Sequence, residues 1–585
     1  MRPRINFRES LTIPAVILCL VFATISCGGG GSRSSTPSST PTPTPAAVSV
    51  TVSPTSASLS PSSTQQFNAT VTGSSNTAVS WTVALQPGAS GDPGTISPTG
   101  LYTAPGTVLG NNAVVATATA QADSTKSANA SIGVIDNHEK ETPPILLGAS
   151  GGNSTDSSQN ANKITCCSGT LGSLVSRGGS QFILSNNHVL DRSGQGTIGQ
   201  EISEPGIADA NCDPTMVTPV ATLSQAAPLQ TAPNSVDAAL AQVNLGAVDP
   251  TGKILDLDGL GQPAPPSSTV VSDPSTLTPG STALAKSGSA SGLTCSTLAS
   301  IGLSVRVTYQ KACGDSTNTF SVTFDNEVEV TGGSFSASGD SGSLIVTRDT
   351  ARPVALLFAG NSDIKTGPLD TVGNPIQTVL DALADSNGVK PQIVGGADHA
   401  VACTVNTQSK STTEDRAAIR QQLRRLPVTE IQRASLAKSA HAEELMRNPS
   451  VTGVDMGVSK DSPSEAAVIV YVDHPTNIPH VLEGVRTRIV SRSVLPQMSR
   501  TQIVNALAVK RQNVEELMAN PAILAVGVGA SLDDPSEPAL LIHVEEGKEV
   551  VIPAEIDGVR TRIKFTQPFK AFGWGKSSIK SCSRK

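Results

Sequence analysis

From residue 47 to about residue 397 the chain is written in strand-length segments, and nothing else in it narrows the fold as much. VSVTVSP, QQFNATVTG and AVSWTVAL, then TLGSLVS, SQFILSNN, LSVRVTYQ and FSVTFDNEVEV, set apolar against polar residues between clusters of Gly, Pro, Ser and Asn. That pattern predicts short antiparallel strands joined by turns. With 3% aromatic residues against 51 glycines and 40 prolines, the cores have to come from Val, Ile, Leu and Ala. A length of 585 residues predicts three or four domains. The formal charge is −7, and nothing in the chain is basic enough to predict nucleic-acid binding.

The first 26 residues predict an export signal: Arg2, Arg4 and Arg8, then the apolar run LTIPAVILCLVFATIS. The run ends at Cys27 behind Ala23-Thr24-Ile25-Ser26, and so resembles a bacterial lipoprotein signal, although Thr24 stands where Leu is usual. That resemblance implies lipid on Cys27, a membrane anchor, and an outer-membrane or cell-surface location. The alternative is an ordinary cleaved signal and a secreted protein; both are extracytoplasmic. Residues 27–46 are a Gly/Ser/Pro/Thr linker that cannot bury a core. Residues 47–136 predict a small β-sandwich with Trp81 as its single buried aromatic, and resemble bacterial Ig-like domains; a spacer is the expected role. Residues 137–163 are expected to be a polar link whose apolar piece, PPILLGAS, docks on the next domain.

In 164–397 the strands predict two packed antiparallel barrels, and the run Ser338-Gly339-Asp340-Ser341-Gly342-Ser343 stands out. Gly339 and Gly342 allow a tight turn in which the amides of Gly339 and Ser341 point at one spot. Two such amides make an oxyanion hole, with the Ser341 hydroxyl beside it as nucleophile. A serine needs a base, and His188 in SNNHVL is the one histidine between residues 144 and 397. Asp237 in VDAAL, a lone carboxylate entering an apolar strand, is the candidate to orient it.

SNNHVL, VDAAL and GDSGS, in that order, resemble the three catalytic blocks of trypsin-fold (chymotrypsin-like) serine peptidases. CCSGTLGSLV, AKSGSASGLT, FDNEVEV and LLFAG are similar to the narrow-leaf-type branch of that family. The resemblance covers roughly residues 144–397. It implies a His188/Asp237/Ser341 triad cleaving protein or peptide substrates, with no cofactor. It also implies a structural role for Asp340 and a specificity position at Phe335, six residues before the serine. The competing expectation is an inactive peptidase fold serving surface binding or adhesion. Cys295 and Cys313 flank a hairpin-like segment and are expected to form a disulfide. Cys212 is open to either Cys166 or Cys167. No CxxC spacing occurs, so no metal site is expected.

After residue 397 the chain becomes more helical and charged, with a linker or helix over 398–428. EELMRNPSVTGVDMGV from Glu443 returns as EELMANPAILAVGVGA from Glu515, 72 residues on, and each copy runs into GVRTRI. A duplicated α/β unit is expected, 429–495 and 499–570, with 571–585 as a tail. Val454 with Val526, Val468 with Leu540 and Ile489 with Ile563 are expected to be buried. Arg486, Arg488, Arg560 and Arg562 are either an anion site or exposed edge charges. The unit is expected to be removable without chemical damage to the catalytic centre. The whole reads as multidomain: an Ig-like β-sandwich, a double antiparallel β-barrel, and a duplicated small α/β tail.

Overall fold

The computed structural model describes residues 47–571 and 574–579, except 60, 90, 107, 109–111, 161–162, 230–235, 333–334, 362–369, 404–420, 492 and 494. The signal segment, Cys27, the 27–46 linker and Cys582 lie outside the described residues. The protein is β-rich and multidomain.

Residues 49–134 form sheets of two, four and three strands around Phe67, Tyr102, Val114 and Ile132. Trp81 is half-buried, whereas Phe67 and Tyr102 are fully buried. The expectation for Trp81 fails because its strand, Val79–Leu85, is the edge of the four-stranded sheet.

The next sheet comprises β1 (Ser150–Asn153), β2 (Ser157–Asn160), β3 (Lys163–Thr170), β4 (Ser173–Arg177), β5 (Ser180–Ser185), β6 (Glu201–Glu204), β7 (Thr218–Ala226) and β8 (Ala239–Val243). The one-turn α1 (Asn187–Leu190) follows β5. The strands pair antiparallel in the order β2-β3-β1-β6-β7-β8-β5-β4. Residues 137–163 are more than a link: they supply β1 and β2, while Ile145 and Leu147 of the apolar piece dock into the core as expected. The alternation that marks a strand is weak there because β1, SGGN, is buried on both faces.

A second sheet holds β9 (Ala283–Gly288), β10 (Gly292–Gln310), β11 (Thr319–Thr331), β12 (Leu344–Thr347), β13 (Pro353–Gly360) and β14 (Thr371–Pro375), followed by α2 (Ile376–Ala382). Neighbours pair as β9-β12-β13-β14-β11-β10, and β10 returns to β9, so six strands close a ring.

The two C-terminal copies are α3 (Val428–Met446), β15 (Val451–Val458), β16 (Ala466–Val472) and β17 (Val485–Ser491), then α4 (Arg500–Ala519), β18 (Ile523–Ala530), β19 (Pro538–Glu545) and β20 (Val559–Thr566). In each, the first two strands are antiparallel and the third runs parallel to the second. Val468, Leu540, Val526 and Ile489 are buried; Val454 and Ile563 are half-buried. Arg486 and Arg560 are neither an anion site nor exposed edge charges, and Arg488 and Arg562 donate to the carbonyls of Val458 and Ala530 (3.1 Å each). Arg486, 2% exposed, donates to the carbonyl of Thr561 (2.6 Å) and pairs with Glu465 (3.0 Å). Arg560 repeats this with Thr487 (2.9 Å) and Glu537 (2.8 Å), so each copy is stitched to the other.

The second copy is not a separate appendage. β10 is 19 residues long; β11 takes one edge, while the other is shared by β9 at 283–288 and β18 opposite Ser300–Val305. A strand that long leaves an open edge that must be covered. Lys510 on α4 reaches Asp325 of β11 (2.7 Å), and His543 on β19 pairs with buried Glu329 of β11 (3.2 Å). Expecting a removable tail fails on these contacts. The chain ends in β21 (Phe569–Ala571) and β22 (Trp574–Ile579).

The disulfides are Cys166–Cys212, Cys167–Cys313 and Cys295–Cys403, with Cα separations of 5.6, 5.7 and 6.2 Å. The expected Cys295–Cys313 bond is excluded because both flank one long strand: Cys295 lies near the start of β10 and Cys313 beyond its end. At ~3.3 Å per residue that is far beyond disulfide reach. Three disulfides fit an oxidising, extracytoplasmic environment. Among the described residues no helix is long and apolar enough to cross a membrane.

Candidate active site

His188 sits on α1, and Asp237 just before β8, the strand beside β5. His188 Nδ1 lies 2.5 Å from Asp237 Oδ2, and the His188 amide donates to Oδ1 (3.1 Å). Tyr309 at the end of β10 donates its hydroxyl to Oδ2 (2.9 Å). Asn186 Nδ2 donates to the Asp237 carbonyl (2.7 Å), and the Asp237 amide donates to Asn374 Oδ1 (2.9 Å). Two donors, the His188 amide and the Tyr309 hydroxyl, converge on a carboxyl that accepts on both oxygens, and a proton on His188 Nδ1 completes the set. The His188 proton then belongs on Nδ1, leaving the Nε2 lone pair available. Nε2 is buried and has no hydrogen-bond partner among the described residues. Burial, with the Asp237 charge beside it, pushes the Tyr309 phenol well above its ordinary value, so it remains a donor.

The Ser341 loop hangs between the two sheets. The Ser341 carbonyl accepts from Thr170 N at the end of β3 (2.8 Å), and Gly342 N donates to Leu357 O of β13 (2.9 Å). The Gly339 carbonyl accepts from Thr170 Oγ1 (2.9 Å) and Ser289 Oγ (2.7 Å). Gly339 and Gly342 have φ of 110° and 98°, a region that a side chain rarely tolerates. A Cβ on Gly342 would also lie 2.2 Å from the Thr170 carbonyl. Among the described residues the amides of Gly339 and Ser341 have no acceptor, as an oxyanion hole requires. The Ser341 hydroxyl is fully buried and donates to Phe358 O (3.4 Å); no hydrogen bond joins it to His188.

Asp340 anchors the loop. Its carboxyl accepts from the amides of Ala337 (2.8 Å), Ala290 (3.0 Å) and Ser291 (3.1 Å) and from Ser291 Oγ (2.5 Å). Lys286 on β9 pairs with it at 3.2 Å, with both side chains 0% exposed. Burial holds the Lys286 ammonium below its ordinary value, opposed by the Asp340 charge. Phe335, the expected specificity position, is instead 1% exposed, in the core cluster with Leu284, Leu298 and Ile345, its ring centroid 6.0 Å from Lys286 Nζ.

His188 faces a cavity of ≈ 80 Å³ lined also by Asp156, Arg192, Tyr309, Cys313 and Ala571. Ser341 does not reach it. Burial raises Asp156 to about 6, against the opposing Arg192 charge. Tyr309, Lys286 and Asp156 are the site residues that sequence reasoning missed. Glu329, Asp370 and His543 also meet with ligand atoms within 4.8 Å. That cluster already carries its own cation, Lys564 on Asp370, besides the His543–Glu329 pair.

No protein-family model matches the chain, and neither does any curated protein it was compared with.

Proposed function

We propose that the chain is a serine endopeptidase of the trypsin-fold type, its two sheets forming the double barrel of that family. The proposal includes an Ig-like spacer at 47–136 and a location outside the cytoplasm, either on a lipid anchor at Cys27 or secreted. One observation carries the reading: Asp237 orients His188 at 2.5 Å from one sheet, and the Gly339–Gly342 loop that presents Ser341 is pinned to both sheets. In the reaction, the Ser341 oxygen bonds to the peptide carbonyl carbon while its proton passes to His188 Nε2. The oxyanion is held by the amides of Gly339 and Ser341, and His188 returns the proton to the leaving amine as the C–N bond breaks. Water then releases the acyl group by the same route. Asp237 orients the imidazole and stabilises it when protonated. The substrate is a protein or peptide.

The competing reading, an idle peptidase fold in a surface-binding protein, draws support from the Ser341 hydroxyl being buried and bonded to Phe358. Labelling with a fluorophosphonate separates the two. Labelling should fall on Ser341, vanish in Ser341→Ala, and slow by about 10⁴ in Asp237→Asn, as in established triads. Undiminished labelling of Ser341→Ala would refute the triad.

A further inference from the structure

The last described strands of the chain pair with the two strands that hold the nucleophile. β21 pairs antiparallel with the end of β13, Ala571 opposite Ala359 and Lys570 opposite Gly360. These residues directly follow Phe358, whose carbonyl receives the Ser341 hydroxyl. β22 then pairs antiparallel with β3, Trp574 opposite Ser168 and Gly575 opposite Cys167, continuing to Ile579 opposite Lys163. Thr170, two residues beyond Ser168, is the one whose amide holds the Ser341 carbonyl. So β21 adds to the strand that receives the Ser341 hydroxyl, and β22 adds to the strand whose end holds the Ser341 carbonyl. Phe572 and Gly573, which join them in sequence, lie outside the described residues. Ala571 also lines the His188 cavity, and Ser341 is fully buried.

A peptide that a serine nucleophile is to cleave must cross it extended, with residues before the bond held on one edge and residues after it on the other. Backbone pairing to an open strand edge is how such a segment is held whatever its side chains. β21 and β22 make such backbone pairings on strands of two different sheets. We infer that Phe569–Ile579 is a resident occupant of the peptide cleft that keeps the full chain latent, and that the ligand it stands in for is an extended polypeptide. The latency rests on the serine-peptidase reading; the occupancy does not.

A tethered segment has an effective concentration on the order of 1 mM, so an intrinsic affinity of ~0.1 mM already slows access roughly tenfold. Two altered proteins test this. One is the full chain with Lys570→Pro and Gly575→Pro, which removes an amide from each pairing. The other ends after Pro568; circular dichroism checks that each is folded. In labelling, the Ser341 Oγ–P bond forms, fluoride leaves and His188 takes the proton. Both proteins should label about tenfold faster than the native chain, and a synthetic peptide of sequence 569–579 should slow them again. A fluorescent form of that peptide should bind either altered protein carrying Ser341→Ala, and not the otherwise native Ser341→Ala chain. Failure to bind the altered proteins overturns the occupancy, whatever the labelling shows. Equal labelling of native and altered chains overturns the latency. Binding without labelling in any form upholds the occupied cleft and overturns the catalytic reading instead.

Discussion

Lys286→Met takes away the one charge that faces Asp340 in the core. Both side chains of the pair are 0% exposed, so solvent does not screen the loss. Removing one partner of a buried pair costs about 3–5 kcal/mol, because the survivor is left charged and uncompensated. Asp340 keeps its bonds to Ala337, Ala290 and Ser291, which places the expected cost near the lower end, ~3 kcal/mol. At about 2–4 °C per kcal/mol for a domain of this size, the melting midpoint should fall by roughly 6–12 °C. Burial already holds the Lys286 ammonium below its ordinary value, so the intact pair is no large net gain over neutral groups. Lys286→Met with Asp340→Asn should nevertheless recover little of the lost stability, because the amide nitrogen would face backbone N–H donors, from Ala337 on one side or Ala290 and Ser291 on the other, that the carboxylate accepts. Since Asp340 is adjacent to Ser341, labelling should also fall in the single variant. Calorimetry of the three proteins decides the matter. A single variant melting within about 2 °C of the parent, or a double variant restored to the parent's midpoint, would refute the reasoning.

Tyr309→Phe removes one donor from Asp237 and should cost about 1.5–3 kcal/mol, the range for a hydrogen bond to a charged group. Labelling should slow without vanishing, because the His188 bond to Asp237 remains; unchanged labelling and stability would exclude Tyr309 as a positioning residue. Burial raises Glu204 to about 8 from the 4.5 of a free glutamate. The native state then holds a proton that the unfolded chain releases, so this group's contribution is full below pH 4.5 and is lost as pH rises towards 8. Glu204→Gln should be near neutral at pH 4.5 and stabilising by roughly 4 kcal/mol at pH 8, about 1.4 kcal/mol for each pH unit between the two values. Denaturation curves showing a pH-independent difference would contradict it.

Local strain and rare residue types were what the sequence made legible. Gly339 and Gly342 announced a turn that other residues rarely tolerate, His188 had no competitor within its domain, and Asp237 stood alone before an apolar strand. Tyr309 and Lys286 gave no such signal. A tyrosine closing LSVRVTYQ and a lysine inside ALAKSG look ordinary until the fold brings Asp237 and Asp340 against them, 72 and 54 residues away in sequence. The cysteines misled for a related reason. Proximity along the chain suggested Cys295–Cys313, whereas an extended β10 carries them apart, and the true partners come from β3 and from residue 403. FKA at 569–571 is too short to read as a strand at all. It becomes one only because β10 and β13 leave edges open beside it.

β10 also decides whether the C-terminal copies can be indifferent to the site. One edge of this strand is occupied by β11. The other meets β9, then β18 of the second copy, then β21 opposite Val307 and Thr308. The next residue, Tyr309, holds Asp237. The same strand therefore ties together the second copy, the end of the chain and the residue that orients His188. The anchor on the copy's side is costly to undo. His543 and Lys564 offset the burial of Glu329 and hold its carboxyl well below the ordinary range; without them Glu329 would be a buried charge with no cation beside it. Cutting the chain at 410 would thus strip an edge from β10 and orphan Glu329 and Asp370, besides clearing the cleft. Loss of labelling after that cut would report a damaged second sheet. An end-point beyond β20, such as Pro568, removes the cleft strands, and with them the β21 pairing at Val307 and Thr308, while leaving β18 on the edge of β10.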